Sequence, residues 1–488
     1  MMTMFSRMIR FSMAAWLLTA VAATASAHSG KARLHVIVDT DGAADDLRTL
    51  CMLLGNREVE VLGIVSSPGA QTTPRTAQCA RALLGELHHD GIPVGCGRES
   101  KAAAPAWRKT CEQTYWGEAT SEEPAPDAVQ LMEAIIDGEE QRVTIVALGA
   151  LTNVANMVRR SPRRAQRIER VVWYDDMPHG AGANFKADAE AAQEVLSCGI
   201  EVDIVSDGSA RRIVVDEGLL SEMSEIPTPY ARHIVASHRR PPLDRLVGRG
   251  HLVAWDDLTA LYMICPEIFV RHPVDDNLTY CTLSEDISPD CARSMLLSVL
   301  WGRPDAENRV FYAFPSCGQT YAADVQAIMR EALERHGASE WRAAVLTNEM
   351  HGHLGIYATI GVKMGMRARE WFGIGVDDVE VVSYAGSMPP VSCMNDGLQV
   401  STGASLGHGL IRVAECAAPR PEADFSFKGR TLRLRLKEEY ARRIAEDCRR
   451  GAELCGGLNE EYWQYVRALA LSYWRDLDRH EIFSIEEL

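Results

Sequence analysis

Four carboxylates fall within eight residues near the start of the chain: Asp39, Asp41, Asp45 and Asp46, in the stretch LHVIVDTDGAADDLRTLCMLL. Acids so close cannot all stay ionised without a counter-charge, because like charges at short range raise one another's pKa. A hard divalent cation bound through oxygen is the simplest counter-charge. Calcium accepts crowded, irregular carboxylate shells more readily than magnesium. A cation held there could lower the pKa of a bound water and supply a nucleophile near neutral pH. The bland alternative is a solvated acidic loop.

The flanking residues say where such a site would sit. The apolar run Leu34–Val38 stops at Asp39, and Leu47, Leu50, Leu53 and Leu54 then recur at helical spacing. A short buried strand running into a helix is the unit of a parallel α/β sheet. Polar residues at the carboxyl end of such a strand face the crevice where these sheets bind ligands. A helix amino terminus at Ala44–Leu47 adds a smaller positive potential. Further strands are expected at Val59–Val65, Arg142–Ala150, Arg170–Asp176 and Val202–Asp207, with helices at Thr76–Leu87 and Ala128–Ile136 between them. This alternation argues an α/β domain with a mostly parallel sheet and helices on both faces.

The acid spacing resembles the amino-terminal Asp-x-Asp-x-Gly-x-Asp-Asp signature of the inosine-uridine preferring nucleoside hydrolases, although Gly42 and Ala43 replace that family's usual Pro and Gly. Three more segments are similar to the family: Ala147–Asn153 (ALGALTN), Asn184–Ala192 (NFKADAEAA) and Trp255–Phe269. The resemblance implies that Asp41 is general base and metal ligand, and that Asp46, Asp256 and the backbone carbonyl of Leu148 complete a calcium site. It also implies that Asp45 and Asn184 contact the sugar. Trp255 stands where many members have a His that serves as a proton donor; a Trp cannot donate a titrating proton but can stack on an aromatic base. Asp257 becomes the ligand in place of Asp256 if the register slips by one. Two sugar contacts of the family are replaced here by Ala70 and Gly182. The implied reaction is hydrolysis of an N-glycosidic bond through a cation-like sugar, whose developing charge the carboxylates stabilise.

A second constellation lies further on. Residues 347–413 contain EMHGHLG, PPVSCMNDGLQ and STGASLGHG, and resemble the E-type subunits of formylmethanofuran dehydrogenase. His351, His353 and Cys393 are candidate ligands for zinc, which favours imidazole and thiolate. The alternative is two loop histidines and a buried structural thiol. The tail reads as mostly helical, with apolar residues at three- and four-residue spacing in Leu436–Cys448 and Glu460–Leu477.

The whole chain sets limits on these readings. Residues 1–27 carry Arg7, Arg10, the apolar run Phe11–Ala23 and an Ala25-Ser26-Ala27 cleavage site, the pattern of a secretory signal peptide. Its removal takes the formal charge from −16 to −18, with 49 basic against 67 acidic residues. So acidic a protein is a poor ligand for nucleic-acid backbones, and a small neutral molecule is the expected partner. Thirteen cysteines, an odd number spread widely, give no disulfide connectivity. The expected organisation is a signal peptide at 1–27, a nucleoside hydrolase-like domain at 28–337, an α+β domain at 338–424 and a helical extension at 425–488. The expected protein is a periplasmic or secreted, calcium-dependent nucleoside hydrolase, with oligomeric state left open. Its rival is a non-catalytic periplasmic small-molecule or metal-binding protein on a degenerate hydrolase scaffold.

Overall fold

Strand β1 (Leu34–Thr40) is apolar on both faces: Val36 and Val38 enter one hydrophobic core and Ile37 the other. Burial on both sides is what a central strand of a parallel sheet requires. The computed structural model describes residues 32–118, 123–176, 182–207, 212–302, 314–315, 318–376, 378–416 and 418–488. The segment 1–27, expected to be a signal peptide, therefore lies outside the described residues. Among the described residues no helix is long and apolar enough to cross a membrane.

The front sheet continues through β2 (Val59–Ser66), β3 (Val94–Cys96), β4 (Val143–Ala147), β5 (Ile168–Tyr174), β6 (Val202–Ser206), β7 (Phe269–Pro273) and β8 (Leu278–Leu283). Its order is β3-β2-β1-β4-β5-β6-β8-β7, parallel throughout except for β7, which runs antiparallel to β8. Helices Ala44–Gly55 and Asp257–Ile264 pack on one face; Ala128–Gly138 and Thr152–Arg160 pack on the other. The chain winds outward from β1 through β2 to β3, then returns to lay β4 on the other side of β1. That reversal opens a crevice at the carboxyl ends of β1 and β4, the place where open α/β sheets bind ligands.

The rear half has a five-stranded sheet in the order β10-β9-β11-β12-β13. Its strands are β9 (Glu380–Ser383), β10 (Ile411–Val413), β11 (Glu422–Phe427), β12 (Arg430–Leu436) and β13 (Phe483–Glu487). Helices Ala323–His351 and Ile356–Phe372 share its core.

Two features of this half add detail that the linear pattern does not carry. The helix Ala323–His351 kinks at Gly337 (φ 84°), and Val325, Ile328, Met329 and Ala332, upstream of the kink, already belong to the rear core. A glycine that reads as a domain limit is thus a bend within one domain, whose packing begins before residue 337. The tail does contain helices Glu438–Leu454 and Glu460–Asp476, but it also supplies β12, β13 and the end of β11. In β12 the sequence RTLRLRL buries Leu432, Leu434 and Leu436 and turns Arg433 and Arg435 away, the period of two that makes a half-buried strand.

The halves are joined by charge. The turn at Lys428-Gly429 has φ of 46° and 78° and brings the Lys428 ammonium to Glu60 and Glu139 of the front domain, 2.5 Å from each. Arg367 donates to the carbonyl of His88 at 3.0 Å.

Candidate active site

The turn after β1 is built around Asp46. Gly42 adopts φ +85°, a left-handed conformation that favours glycine, and a Cβ there would also meet the Thr76 hydroxyl at 2.7 Å. The turn directs the N–H groups of Asp41 and Gly42, each at 3.0 Å, and the Thr40 hydroxyl onto Oδ2 of Asp46. Among the described residues, Oδ1 of Asp46 is left buried with no partner.

Asp41 is fixed by backbone rather than by side chains. The Ala70 N–H donates to its Oδ2 at 2.9 Å. Gly69 and Gly149 leave it room, since a Cβ on Gly69 would fall 1.9 Å from that oxygen and one on Gly149 2.7 Å from the Asp41 Cβ. Ala70, where the family resemblance loses a sugar-contacting side chain, thus contributes its N–H to the acid instead.

Asp256 arrives from more than 200 residues away, at the start of helix Asp257–Ile264. One oxygen each of Asp45, Asp46 and Asp256 lie within 4.8 Å of one another. Oδ1 of Asp256 is buried without a partner, as is Oδ2 of Asp39. Asp257 points elsewhere: it takes two hydrogen bonds from Arg48, both at 2.8 Å. The structure therefore chooses between the two registers. Asp256 faces the acids, and Asp257 is the anion of a buried ion pair.

Desolvation dominates the electrostatics of this cluster, and mutual repulsion adds to it. Burial and the neighbouring carboxylates hold Asp41 and Asp256 well above the usual range, and burial raises Asp46. Asp45 is pushed up to about 7 by burial and by Asp46. Burial brings Asp39 to about 8, although Asn153 donates to its Oδ1 at 3.0 Å. An all-oxygen donor set with unpartnered buried oxygens and acids driven toward neutrality fits a hard cation, whose charge would relieve all three conditions.

The other expected site residues are distributed around this cluster. The Leu148 carbonyl ends the β4 turn and accepts from Nδ2 of Asn184 at 2.9 Å; the same amide donates to the Tyr174 carbonyl at 3.0 Å. Both N–H bonds of Asn184 are thereby spent, which leaves its oxygen to receive a ligand hydroxyl. Trp255 is half-buried and packs against the front core beside Asp256. At Gly182, the place a side chain would take is filled by Asp175, whose Oδ1 would lie 1.8 Å from a Cβ there. Burial pushes Asp175 up to about 6.

Some neighbours of the site left no signal in the sequence. The Tyr174 hydroxyl, at the end of β5, is buried without a partner, and its pKa is raised by burial and by acids that include Asp45 and Asp256. Arg108, in what reads as a polar loop, donates to the Gly69 carbonyl at 2.8 Å. Both Arg108 and Cys111 lie on the short helix Arg108–Glu112; Cys111 is buried, and its thiol is pushed up by burial and by Asp41, Asp45 and Asp46. Asn153 had a signal, the Leu-Thr-Asn triplet, but only the fold brings it to Asp39.

The rear constellation assembles differently. His351 ends its helix, and its ring lies 4.3 Å from that of His353 between centroids. Nδ1 of His351 pairs with Asp396 at 2.6 Å. His351, His353 and Cys393 do not bring three ligand atoms within 4.8 Å of one another among the described residues, so the expected zinc set is not gathered. Asp396, three residues after Cys393 on helix Met394–Thr402, holds Nδ1 of that imidazole, and its Nε2 is buried with no partner among the described residues.

A family model described as inosine-uridine preferring nucleoside hydrolase matches residues 36–346. The chain belongs to that family. A second model, described as FmdE, molybdenum formylmethanofuran dehydrogenase operon, matches residues 350–466, so the two halves follow in the expected order. A probable uridine nucleosidase 1 of Oryza sativa subsp. japonica is 29% identical over 204 residues, 38% of this chain and 63% of that protein. This chain thus spans just under two thirds of the rice protein's length. The pyrimidine-specific ribonucleoside hydrolase RihA of Salmonella paratyphi C is 32% identical over 261 residues, 48% of this chain and 81% of that one. The RihA of Shewanella baltica is 28% identical over 260 residues, 48% and 79% of the respective chains. Among solved structures, the plant nucleoside hydrolase PpNRh1 overlays with a TM-score of 0.47 at 18% identity, covering 56% of this chain and all of that one.

Proposed function

We propose that the protein is an exported hydrolase that cleaves the N-glycosidic bond of a ribonucleoside or related N-riboside, with calcium held by Asp45, Asp46 and Asp256. The observation that carries this reading is the convergence of these acids, from two ends of the front domain, with buried oxygens left unpartnered. The cation, when bound, lowers the pKa of a water in its shell. Asp41, held by Ala70 and flanked by two glycines, takes the proton of the attacking water. Burial and the neighbouring carboxylates raise its basicity, which suits a proton acceptor. The Asn184 oxygen accepts from a sugar hydroxyl, and the Trp255 ring lies against the leaving base. The negative field of the carboxylates stabilises positive charge as it develops on the sugar carbon.

The replacements at Ala70 and Gly182 favour a sugar different from plain ribose, since Asp175 stands close to where a side chain at 182 would begin. The test is release of free base from a panel of ribonucleosides and N-ribosides by the mature chain, with and without chelator. Chelator-sensitive release that vanishes in Asp41→Asn supports the proposal. Absence of turnover on every N-riboside, by a protein that still binds calcium, overturns it in favour of a non-catalytic binding protein.

A further inference from the structure

Arg48 is 1% exposed, and every N–H of its guanidinium has an acceptor inside the protein. Nε and Nη2 donate to the two oxygens of Asp257 at 2.8 Å, and Nη2 donates again to the Val253 carbonyl at 3.0 Å. Nη1 donates to Nε2 of His238 at 2.9 Å and to the Ala44 carbonyl at 3.4 Å. The other ring nitrogen of His238 lies 2.9 Å from the Ile234 carbonyl, so Nδ1 carries the proton and Nε2 accepts. Three segments of the site meet at this one group. The first is the helix Ala44–Gly55, with Asp45 and Asp46 in its first turn. The second is the start of helix Asp257–Ile264, with Asp256 one residue before it. The third is the helix Pro229–His238, whose Ser237 donates at 2.6 Å to the Tyr115 carbonyl, just past the short helix that carries Cys111.

A buried Arg–Asp pair is a weak source of stability, because desolvation offsets its attraction and an apolar pair of the same volume does as well or better. A planar fork that fills all its hydrogen bonds does supply fixed geometry. From this arrangement we infer that Arg48 is a positioning residue of the front metal centre: with Asp257 and His238 it holds Asp256 opposite Asp45 and Asp46 at the spacing a cation requires. The inference rests on the metal reading of that site under the proposed function.

The test titrates calcium into the chelator-treated mature chain by calorimetry. It compares wild type with Arg48→Lys, which keeps the charge and loses the fork, and with Arg48→Met/Asp257→Leu, which replaces the pair by apolar side chains. Circular dichroism and urea unfolding report the fold. The expected result is a folded double variant with a urea midpoint at or above wild type, and calcium affinity at least about ten-fold weaker in both variants. Wild-type affinity in a folded variant overturns the inference and leaves the hydrolase reading intact. Failure of both variants to fold also overturns it, since the pair then serves stability. A wild-type chain that takes up no calcium removes the metal reading, and this inference with it.

Discussion

Asp256 in the front half and Glu340 in the rear are both carboxylates shut away from solvent, 4% and 0% exposed. Burial acts on the two alike, yet they end on opposite sides of the normal carboxylate range. Around Asp256 stand more acids, and its pKa rises. Around Glu340 stand the Lys363 ammonium at 2.6 Å and the Arg479 guanidinium at 3.0 Å, which outweigh burial and hold its pKa down. Arg479 goes on to Glu370, and His480 meets Glu370 at 3.1 Å, so the rear network balances itself. Its charges need nothing from outside. The front cluster has no such balance, since its nearest guanidinium is already committed to Asp257. Two buried polar clusters in one chain thus differ in whether they are complete, and incompleteness is what marks a ligand site.

Substitutions should separate the two kinds of cluster. The largest effect is expected for Asp41→Asn, which should lower base release by about 10³-fold, the scale of a lost general base, with little change in the urea midpoint. Glu340→Gln should do the reverse: it strands a buried ammonium, costs about 3–5 kcal/mol in urea unfolding, and leaves calcium affinity untouched.

Acidity provides a further contrast. Asp45 at about 7 and Asp39 at about 8 in the folded chain lie above their unfolded values. At these two carboxyls the folded state therefore binds more protons than the unfolded state between about pH 4 and pH 8, and their contribution to stability falls as pH rises through that window. Metal-free wild type should accordingly lose more melting temperature, or gain less, than Asp45→Asn between pH 5 and pH 8, and added calcium should reduce that difference. A metal-free wild type whose melting temperature tracks that of Asp45→Asn over this range would contradict the electrostatic account. In the same vein, Asp45→Asn should raise the metal-free melting temperature at pH 8, by the equivalent of about 1 kcal/mol, while weakening calcium binding. The smallest effect is expected at Tyr174. Removal of its hydroxyl in Tyr174→Phe should raise KM by about three-fold on the best N-riboside, the worth of one modest hydrogen bond, and leave stability unchanged.

Much of the front half was legible in the chain because its signals are local. A β-strand with both faces apolar, a glycine at the turn and an acidic helix start fall within one short stretch, and the β1-to-helix unit follows from those residues alone. The acid spacing named the family, and the sugar-contact losses at Ala70 and Gly182 were visible as plain departures. The rear half was less legible where period and glycine gave weak signals: Gly337 reads as a domain limit and is a kink, and the LRLRL alternation of β12 lies in a tail that otherwise reads as helical.

By itself, then, the sequence determined which residue types meet water and which do not, and through them the strand-helix order and the acidic cluster. Three matters were left to the tertiary structure. One is that Asp256, rather than Asp257, faces Asp46. Another is that Ala70 serves through its backbone N–H. The third is that Asp396 pairs with Nδ1 of His351. Each depends on which of two adjacent groups points inward across a contact between distant segments. That direction is set by packing around Arg48, Gly69 and helix Met394–Thr402, and no pattern of neighbours along the chain encodes it.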